Sequence, residues 1–304
     1  MENSAPLQFS IFILYLAPFH QNLLNPISNP PHSLIIGHVC HDVIPGGYAP
    51  GGAAYYAGLL AHRLGYQTAI LTSFGEDFQF ASQFGGIDLH VVPSPETTVF
   101  ENIYQPDGQR IQYLHGRAAL LTPSDLPKHW HAPKTALLGP ICDEVSFEFL
   151  DFFKSQNTIT CACPQGWMRQ WDAEHPKGAS RVSPKPIADW QLLAKADIIS
   201  MSEADVAGDW VLIEHIASFA NILLVTQGAK GVVVFEKGHS RRHFSALQVV
   251  EVDPTGAGDI FAASFLLSYA EHWNTENAAY FANKIAGASV QAKGLEAVPE
   301  NPNF

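Results

Sequence analysis

The run Asp253-Pro254-Thr255-Gly256-Ala257-Gly258-Asp259 leads straight into Ile260-Phe261-Ala262-Ala263-Ser264-Phe265-Leu266-Leu267. A loop of small residues therefore opens an apolar helix, with an acid at the junction. Free backbone N–H groups at a helix N-terminus attract anions. Gly256 and Gly258 let that backbone approach a phosphate with no side chain in the way. A carboxylate at Asp259 should repel a phosphate, unless it takes a proton from a hydroxyl that then attacks the phosphorus. The plain reading of Asp259 is a helix N-cap; the full seven-residue string favours a catalytic anion site. On that reading Gly256, Ala257 and Gly258 form the anion hole and Asp259 is the base.

Around this junction the chain has the make-up of a compact protein. It has 304 residues, 47% hydrophobic and 15% charged, enough for a large core and too apolar for disorder. A formal net charge of −12 argues against nucleic-acid binding and against docking on anionic membranes. Cys40, Cys142, Cys161 and Cys163 lack zinc-type spacing and read as buried free thiols in a reducing, cytoplasmic setting. Residues 1–30 read as an N-terminal extension of unassigned role. The apolar stretch Ser10–Leu16 is too short to span a bilayer, and no Lys or Arg precedes it as in a signal peptide.

From residue 31 to the end, short apolar runs alternate with helical spacing. Ser33–Gly37, Thr68–Thr72, Leu89–Val92, Thr135–Leu138, Ile159–Ala162, Ile198–Ser200 and Ile222–Val225 read as buried strands. Val232–Phe235 and Gln248–Val252 read as late strands, followed by closing helices over about 259–271 and 276–293. A helix from Gly52 to Leu64 ends at Gly65. Such alternation predicts an α/β fold with a mainly parallel sheet covered on both faces, and ligands at the C-terminal strand edges. One segment breaks the alternation: Thr97–Tyr104 and Arg110–Leu114 flank the turn signal Pro106-Asp107-Gly108 and predict a β-hairpin.

Three phosphate-handling signatures are missing. There is no P-loop motif, no protein-kinase Asp-Phe-Gly set, and no Gly-x-Gly-x-x-Gly after the first strand, which argues against a nucleotide-binding oxidoreductase. Phosphate binding then falls on the junction amides together with a divalent metal. Gly51-Gly52 opens a helix and would let a substrate approach the backbone.

The junction string resembles the second signature of the ribokinase or PfkB family of small-molecule kinases. Gly51-Gly52-Ala53-Ala54, Ser73-Phe74-Gly75-Glu76-Asp77-Phe78 and Val225-Thr226-Gln227-Gly228-Ala229-Lys230-Gly231 fit further family motifs in order, so the resemblance spans about residues 33–295. It implies a ribokinase-like domain over 31–304, with β-lid elements around 43–50 and 95–116, and an ATP- and Mg2+-dependent kinase. It places Asp42, Gly51, Gly52 and Tyr56 at the acceptor, where one carboxylate can accept two hydrogen bonds from a diol. Thr226, Gly228, Gly231 and Asn283 fall at ATP, and Asp253 and Thr255 at a monovalent cation such as K+. Ser200-Met201-Ser202-Glu203 matches the Asn-x-x-Glu segment that helps to position metal and phosphate; Glu203 is kept, to act through metal-bound water, while Ser200 replaces the Asn. Tyr56 stands where many members carry a sugar-binding Asn. Gly37–Val43 and Glu96–Glu101 resemble the plant-type inositol kinase branch, which favours a polyol such as inositol over a pentose, hexose or nucleoside. The lid edge makes a homodimer plausible. The rival reading is a catalytically silent relative that binds a sugar or nucleotide and regulates a partner.

Overall fold

The computed structural model describes residues 29–104, 110–172 and 178–300. All but the last two residues of the 1–30 extension, and the turn Pro106-Asp107-Gly108, lie outside them. The chain runs β1 (Ser33–Ile36), β2 (Cys40–Ile44), β3 (Gly47–Gly51), α1 (Ala53–Arg63), β4 (Thr68–Phe74), β5 (Asp88–Pro93), β6 (Thr98–Tyr104), β7 (Arg110–Gly116) and β8 (Thr135–Leu138). It continues through α2 (Glu148–Lys154), β9 (Ile159–Ala162), β10 (Arg169–Trp171), β11 (Ser180–Pro184), β12 (Ile198–Ser202), α3 (Trp210–Ala217), β13 (Ile222–Thr226), β14 (Val232–Glu236), β15 (Arg242–Phe244), α4 (Ala257–His272) and α5 (Thr275–Ser289).

Nine strands form the main sheet in the order β15-β14-β13-β12-β9-β8-β1-β4-β5. It is parallel from β13 across to β5; β14 alone runs the other way, pairing antiparallel with β13 on one side and β15 on the other. Its strands are apolar runs because both faces are covered. Within β1, Ile35 enters the core beside α1, α4 and α5, whereas Leu34 and Ile36 enter the opposite core beside α2 and α3. α4 is apolar around most of its circumference because it lies between α1, α5 and the sheet; Ile260 through Leu267 are all buried. That packing fixes the start of α4 near the C-terminal ends of the parallel strands.

The remaining six strands form a second sheet, in the order β10-β11-β7-β6-β2-β3. The predicted hairpin is its β6–β7 pair, antiparallel from Val99↔Gly116 to Tyr104↔Arg110. β2 runs parallel to β6, with Asp42 beside Phe100, and turns back into β3.

One predicted strand is corrected. Gln248–Val252 is not a strand, and the late edge strand is β15. Val250 and Val252 are exposed, and the N–H groups of Val252 and Asp253 both donate to the Val290 carbonyl at the end of α5. The β-like composition of this stretch has no strand to pair with. The actual edge is three residues long and carries Arg242 and His243, a composition that discourages further pairing. Helix α5 stops at Ser289, four residues short of its predicted end. Among the described residues, no helix is long and apolar enough to cross a membrane.

Candidate active site

At the start of α4 the backbone makes a left-handed turn, with Gly256 at φ +77°. A side chain here would be strained, and a Cβ would also run into the ring of Tyr56, which packs beneath the loop. The Ile260 N–H donates to the Gly256 carbonyl at 2.9 Å, and the Thr255 N–H to Asp253 Oδ1 at 2.9 Å. One predicted member of the anion hole is corrected: the Ala257 N–H donates to the Pro254 carbonyl at 3.1 Å, so the turn itself consumes it. Among the described residues, no carbonyl takes the N–H groups of Gly256, Gly258 or Asp259. Gly258 faces open space. The free amides therefore come from Gly256, Gly258 and Asp259.

Asp259 occupies the first turn of α4. Burial pushes its carboxyl up to about 7; the Arg169 guanidinium opposes that rise and the Asp205 carboxylate adds to it. A carboxyl in this range can accept a proton at neutral pH. Asp205 is itself fixed, by the Gln165 amide at 3.0 Å and the Ser202 N–H at 2.8 Å. Two residues earlier, Glu203 accepts from Trp210 Nε1 at 2.6 Å and from Gln227 Nε2 at 3.1 Å. The Gln227 and Trp210 hydrogen bonds hold its carboxyl below the usual range.

The acceptor residues come from the second sheet. Asp42 lies on β2 beside Ala49 and Phe100 in register. A Cβ on Gly51 would overlap the Asp42 carboxylate, so the first glycine of the pair makes room for that carboxylate. Gly52 caps α1 at φ +95°, and a Cβ on it would overlap the His38 carbonyl. Tyr56, on α1, joins the two halves. Its hydroxyl is pushed well up by burial, and further by the charges of Asp42, Asp253 and Asp259. With 3% of its surface exposed, Tyr56 packs its ring against Gly256 at the junction.

The predicted nucleotide residues divide into two groups. Thr226 ends β13, its hydroxyl reaching the Met201 carbonyl at 3.4 Å, and Gly228 at φ +56° faces open space. Gly231 and Asn283 instead hold the segment after β15. A Cβ on Gly231 would overlap the Phe244 carbonyl, and Asn283 Nδ2 donates to that same oxygen at 3.1 Å. The segment they hold exposes Leu247, Val249, Val250 and Val252.

Sequence reasoning missed Arg169 and Asp205, the two charges that act on Asp259. It also missed Glu144. This fully buried carboxylate accepts N–H groups from His38 at 3.0 Å, Ile141 at 2.9 Å and Cys142 at 2.7 Å, tying the ends of β1 and β8 together. His38 bridges the Thr98 hydroxyl and the Ala119 carbonyl, both at 2.8 Å. His38, Cys142 and Glu144 place ligand-type atoms within 4.8 Å of one another, but protein partners already occupy the histidine and carboxylate atoms, so the cluster is explained without an ion.

The sequence pattern of the pfkB family carbohydrate kinases matches residues 187–302, the part of the chain that contains Glu203, the β13–β14 turn and the α4 junction. The chain carries a PfkB-family carbohydrate kinase domain. The PfkB chain is 28% identical over 290 residues to a fructokinase from Klebsiella pneumoniae, covering 83% of this chain and 89% of that one. It is 25% identical over 280 residues to inositol 3-kinase from Oryza sativa subsp. japonica, covering 86% and 69% of the two chains. A pyrophosphate-dependent kinase of the ribokinase family, solved with a pyrophosphate analogue and myo-inositol, superposes with a TM-score of 0.72 at 23% identity, over 86% of this chain and 96% of that one. The fold is ribokinase-like, and the protein is a kinase of small carbohydrate or nucleoside acceptors.

Proposed function

We propose that this PfkB kinase transfers the γ-phosphoryl group of ATP to a hydroxyl of a small polyol, with an inositol-like ring as its acceptor, in the cytoplasm. The observation that carries this reading is the α4 junction. Untaken amides of Gly256, Gly258 and Asp259 stand beside a carboxyl that burial pushes up to about 7, on a loop packed against the Tyr56 ring. Asp42 grips two neighbouring hydroxyls of the acceptor. Asp259 takes the proton of a third hydroxyl as its oxygen attacks the γ-phosphorus. The junction amides receive the charge that grows on the phosphoryl oxygens.

Glu203 fits a role beside Mg2+: each of its oxygens is fixed by one protein donor and keeps acceptor capacity for a metal-bound water. The ion would supply charge neutralisation along the phosphates of the donor. Thr226 and Gly228 flank the donor phosphates. The exposed apolar Leu247–Val252 segment suits the flat base of a nucleotide better than inorganic pyrophosphate. Gly231 and Asn283 act by holding that segment in place. Asp253 and Thr255 form a tight turn before the junction, and we assign them to a monovalent-cation site, with K+ as its occupant. The inositol-like acceptor draws on the apolar Phe100 beside Asp42, on Tyr56 in place of a sugar-binding Asn, and on the rice inositol kinase among the relatives.

The test is ADP release across a panel of inositols, hexoses, pentoses and nucleosides, in K+ and in Na+, repeated with pyrophosphate as donor. Turnover with ATP that is highest for an inositol supports the reading. Preference for a hexose or nucleoside removes the acceptor assignment, preference for pyrophosphate removes the donor, and equal rates in K+ and Na+ remove the cation site. A complete blank with tight ligand binding makes the protein a silent relative.

A further inference from the structure

Trp210 and Gln227 hold Glu203 from two sides. After Glu203 the chain makes a tight turn. The Gly208 N–H donates to the Glu203 carbonyl at 2.9 Å, and Ala207 and Gly208 are both left-handed, at φ +51° and +73°. Asp209 then caps α3, its Oδ1 accepting from the N–H groups of Val211 and Leu212, both at 3.0 Å. This turn brings Trp210, the first residue of α3, back to the carboxylate, where Nε1 donates to Oε1 at 2.6 Å. The other oxygen is held from the next strand. β12 and β13 run parallel with Ser202 beside Thr226, so Gln227 follows directly, and its Nε2 donates to Oε2 at 3.1 Å. Gln227 stands between Thr226 and Gly228, the residues assigned to the donor phosphates, and its own N–H donates to the Gly231 carbonyl at 2.8 Å.

Both donors are neutral. Lys230, in the same turn as Gln227, acts on Glu203 by its charge, but among the described residues no ion pair takes this carboxylate. The two hydrogen bonds thus fix both oxygens and leave the carboxylate an anion. A Lys or Arg in either place would fix the group and cancel its charge. Trp210 and Gln227 also line an open cavity of about 520 Å³, so a change at either position opens no hole in the core.

We propose that Trp210 and Gln227 are positioning residues for the metal of the reaction. They fix the Glu203 carboxylate beforehand, so that it is already in place when Mg2+ and its water arrive with the donor. This rests on the metal role proposed above for Glu203. Groups that orient a metal-side ligand in this way commonly change metal affinity or activity by about 10- to 100-fold. Gln227 adds a second link, because it ties the acid to the turn that carries Thr226 and Gly228. A carboxylate without these partners would have to give up its rotamer freedom at each binding event.

Trp210→Phe and Gln227→Leu each remove one donor and keep most of the bulk; Glu203→Ala removes the acid. Binding of a non-hydrolysable ATP analogue is measured by calorimetry, in Mg2+ and in EDTA. Each of the first two variants should lose about 10-fold of the affinity gained with Mg2+, with the EDTA affinity as in wild type. The KM for MgATP should rise and the acceptor KM should not. Added to Glu203→Ala, either substitution should do little more, because both act through one carboxylate. If both variants keep the wild-type gain with Mg2+, or if their losses add in full to that of Glu203→Ala, the proposal is wrong. An equal loss in EDTA would make the two side chains structural and would also overturn it. Should Trp210→Phe fail to melt cooperatively, Gln227→Leu decides by the same comparison. Failure of this idea is separable from failure of the readings beneath it. If Glu203→Ala loses the gain with Mg2+ and neither variant does, only this proposal falls. If Glu203→Ala binds as wild type does, the role of Glu203 falls and takes the proposal with it. If wild type transfers nothing yet binds the analogue with the expected pattern, the kinase reading falls and the positioning role stands.

Discussion

Gly256 lies against the ring of Tyr56, so close that a Cβ on the glycine would overlap the ring carbons. The loop that presents the junction amides is thus shaped by a side chain from α1, near the other end of the sequence. Gly256→Ala combines this overlap with a left-handed φ of +77°. It should cost about 1–3 kcal/mol of stability, read as a lower melting temperature, and should reduce kcat at least tenfold by displacing the amides. Tyr56→Leu in the same chain should recover part of the lost stability, because the overlap goes and only the backbone strain remains. No recovery would mean that the ring does not shape the loop.

Gly51 makes a parallel case at the acceptor. Gly51→Ala should push the Asp42 carboxylate out of position. Acceptor KM should rise by about 10-fold or more while ATP KM stays unchanged. Equal effects on both substrates would show that the change spreads through the fold.

The pH dependence follows from Asp259. Its carboxyl is raised from 3.8 to about 7, so the fold favours the protonated form. That contribution is fully present below about 4, is lost as pH rises toward 7, and stays lost above 7. Activity runs the other way, because the base must be ionised: kcat/KM should fall about tenfold per pH unit below 7. Asp259→Asn should melt a few degrees higher than wild type at pH 8, a gain of about 2 kcal/mol, and show no such gain at pH 4. A destabilised Asn variant at pH 8 would contradict the half-buried, raised carboxyl.

The junction was legible in the sequence because its chemistry is local: glycines, an acid and an apolar helix lie within fifteen consecutive residues. The main sheet was legible because strands covered on both faces must be apolar runs. What lay hidden depends on contacts far apart in the chain. Arg169 acts on Asp259 from the edge of a second sheet whose strands β10 and β11 are short and only partly apolar. Ala257 sits inside the motif, yet its N–H closes the turn, which only backbone geometry reveals. Gln248–Val252 has strand composition but no strand beside it, so its valines stay exposed on an irregular segment. Asp205 stands two residues from Glu203, and that spacing was the available hint of a second acid near the base.

Glu144 had no motif to announce it. Its carboxylate takes backbone N–H groups from the loops after β1 and β8, near the roots of β2 and the second sheet. Glu144→Gln would turn an N–H donor toward those N–H groups. The expected cost is about 2–4 kcal/mol, with a raised acceptor KM because His38, Thr98 and Ala119 lose their shared anchor. A variant with wild-type melting temperature and KM would show that this network does not hold the two sheets together.

The central claim is that Asp259 removes the proton of the acceptor hydroxyl beside the free amides of α4. Single-turnover phosphoryl transfer by Asp259→Asn, on whichever acceptor wild type prefers and with ATP affinity measured in parallel, tests it most directly. The account predicts a transfer rate lower by about 10²- to 10⁴-fold with ATP binding retained; transfer at the wild-type rate would contradict it.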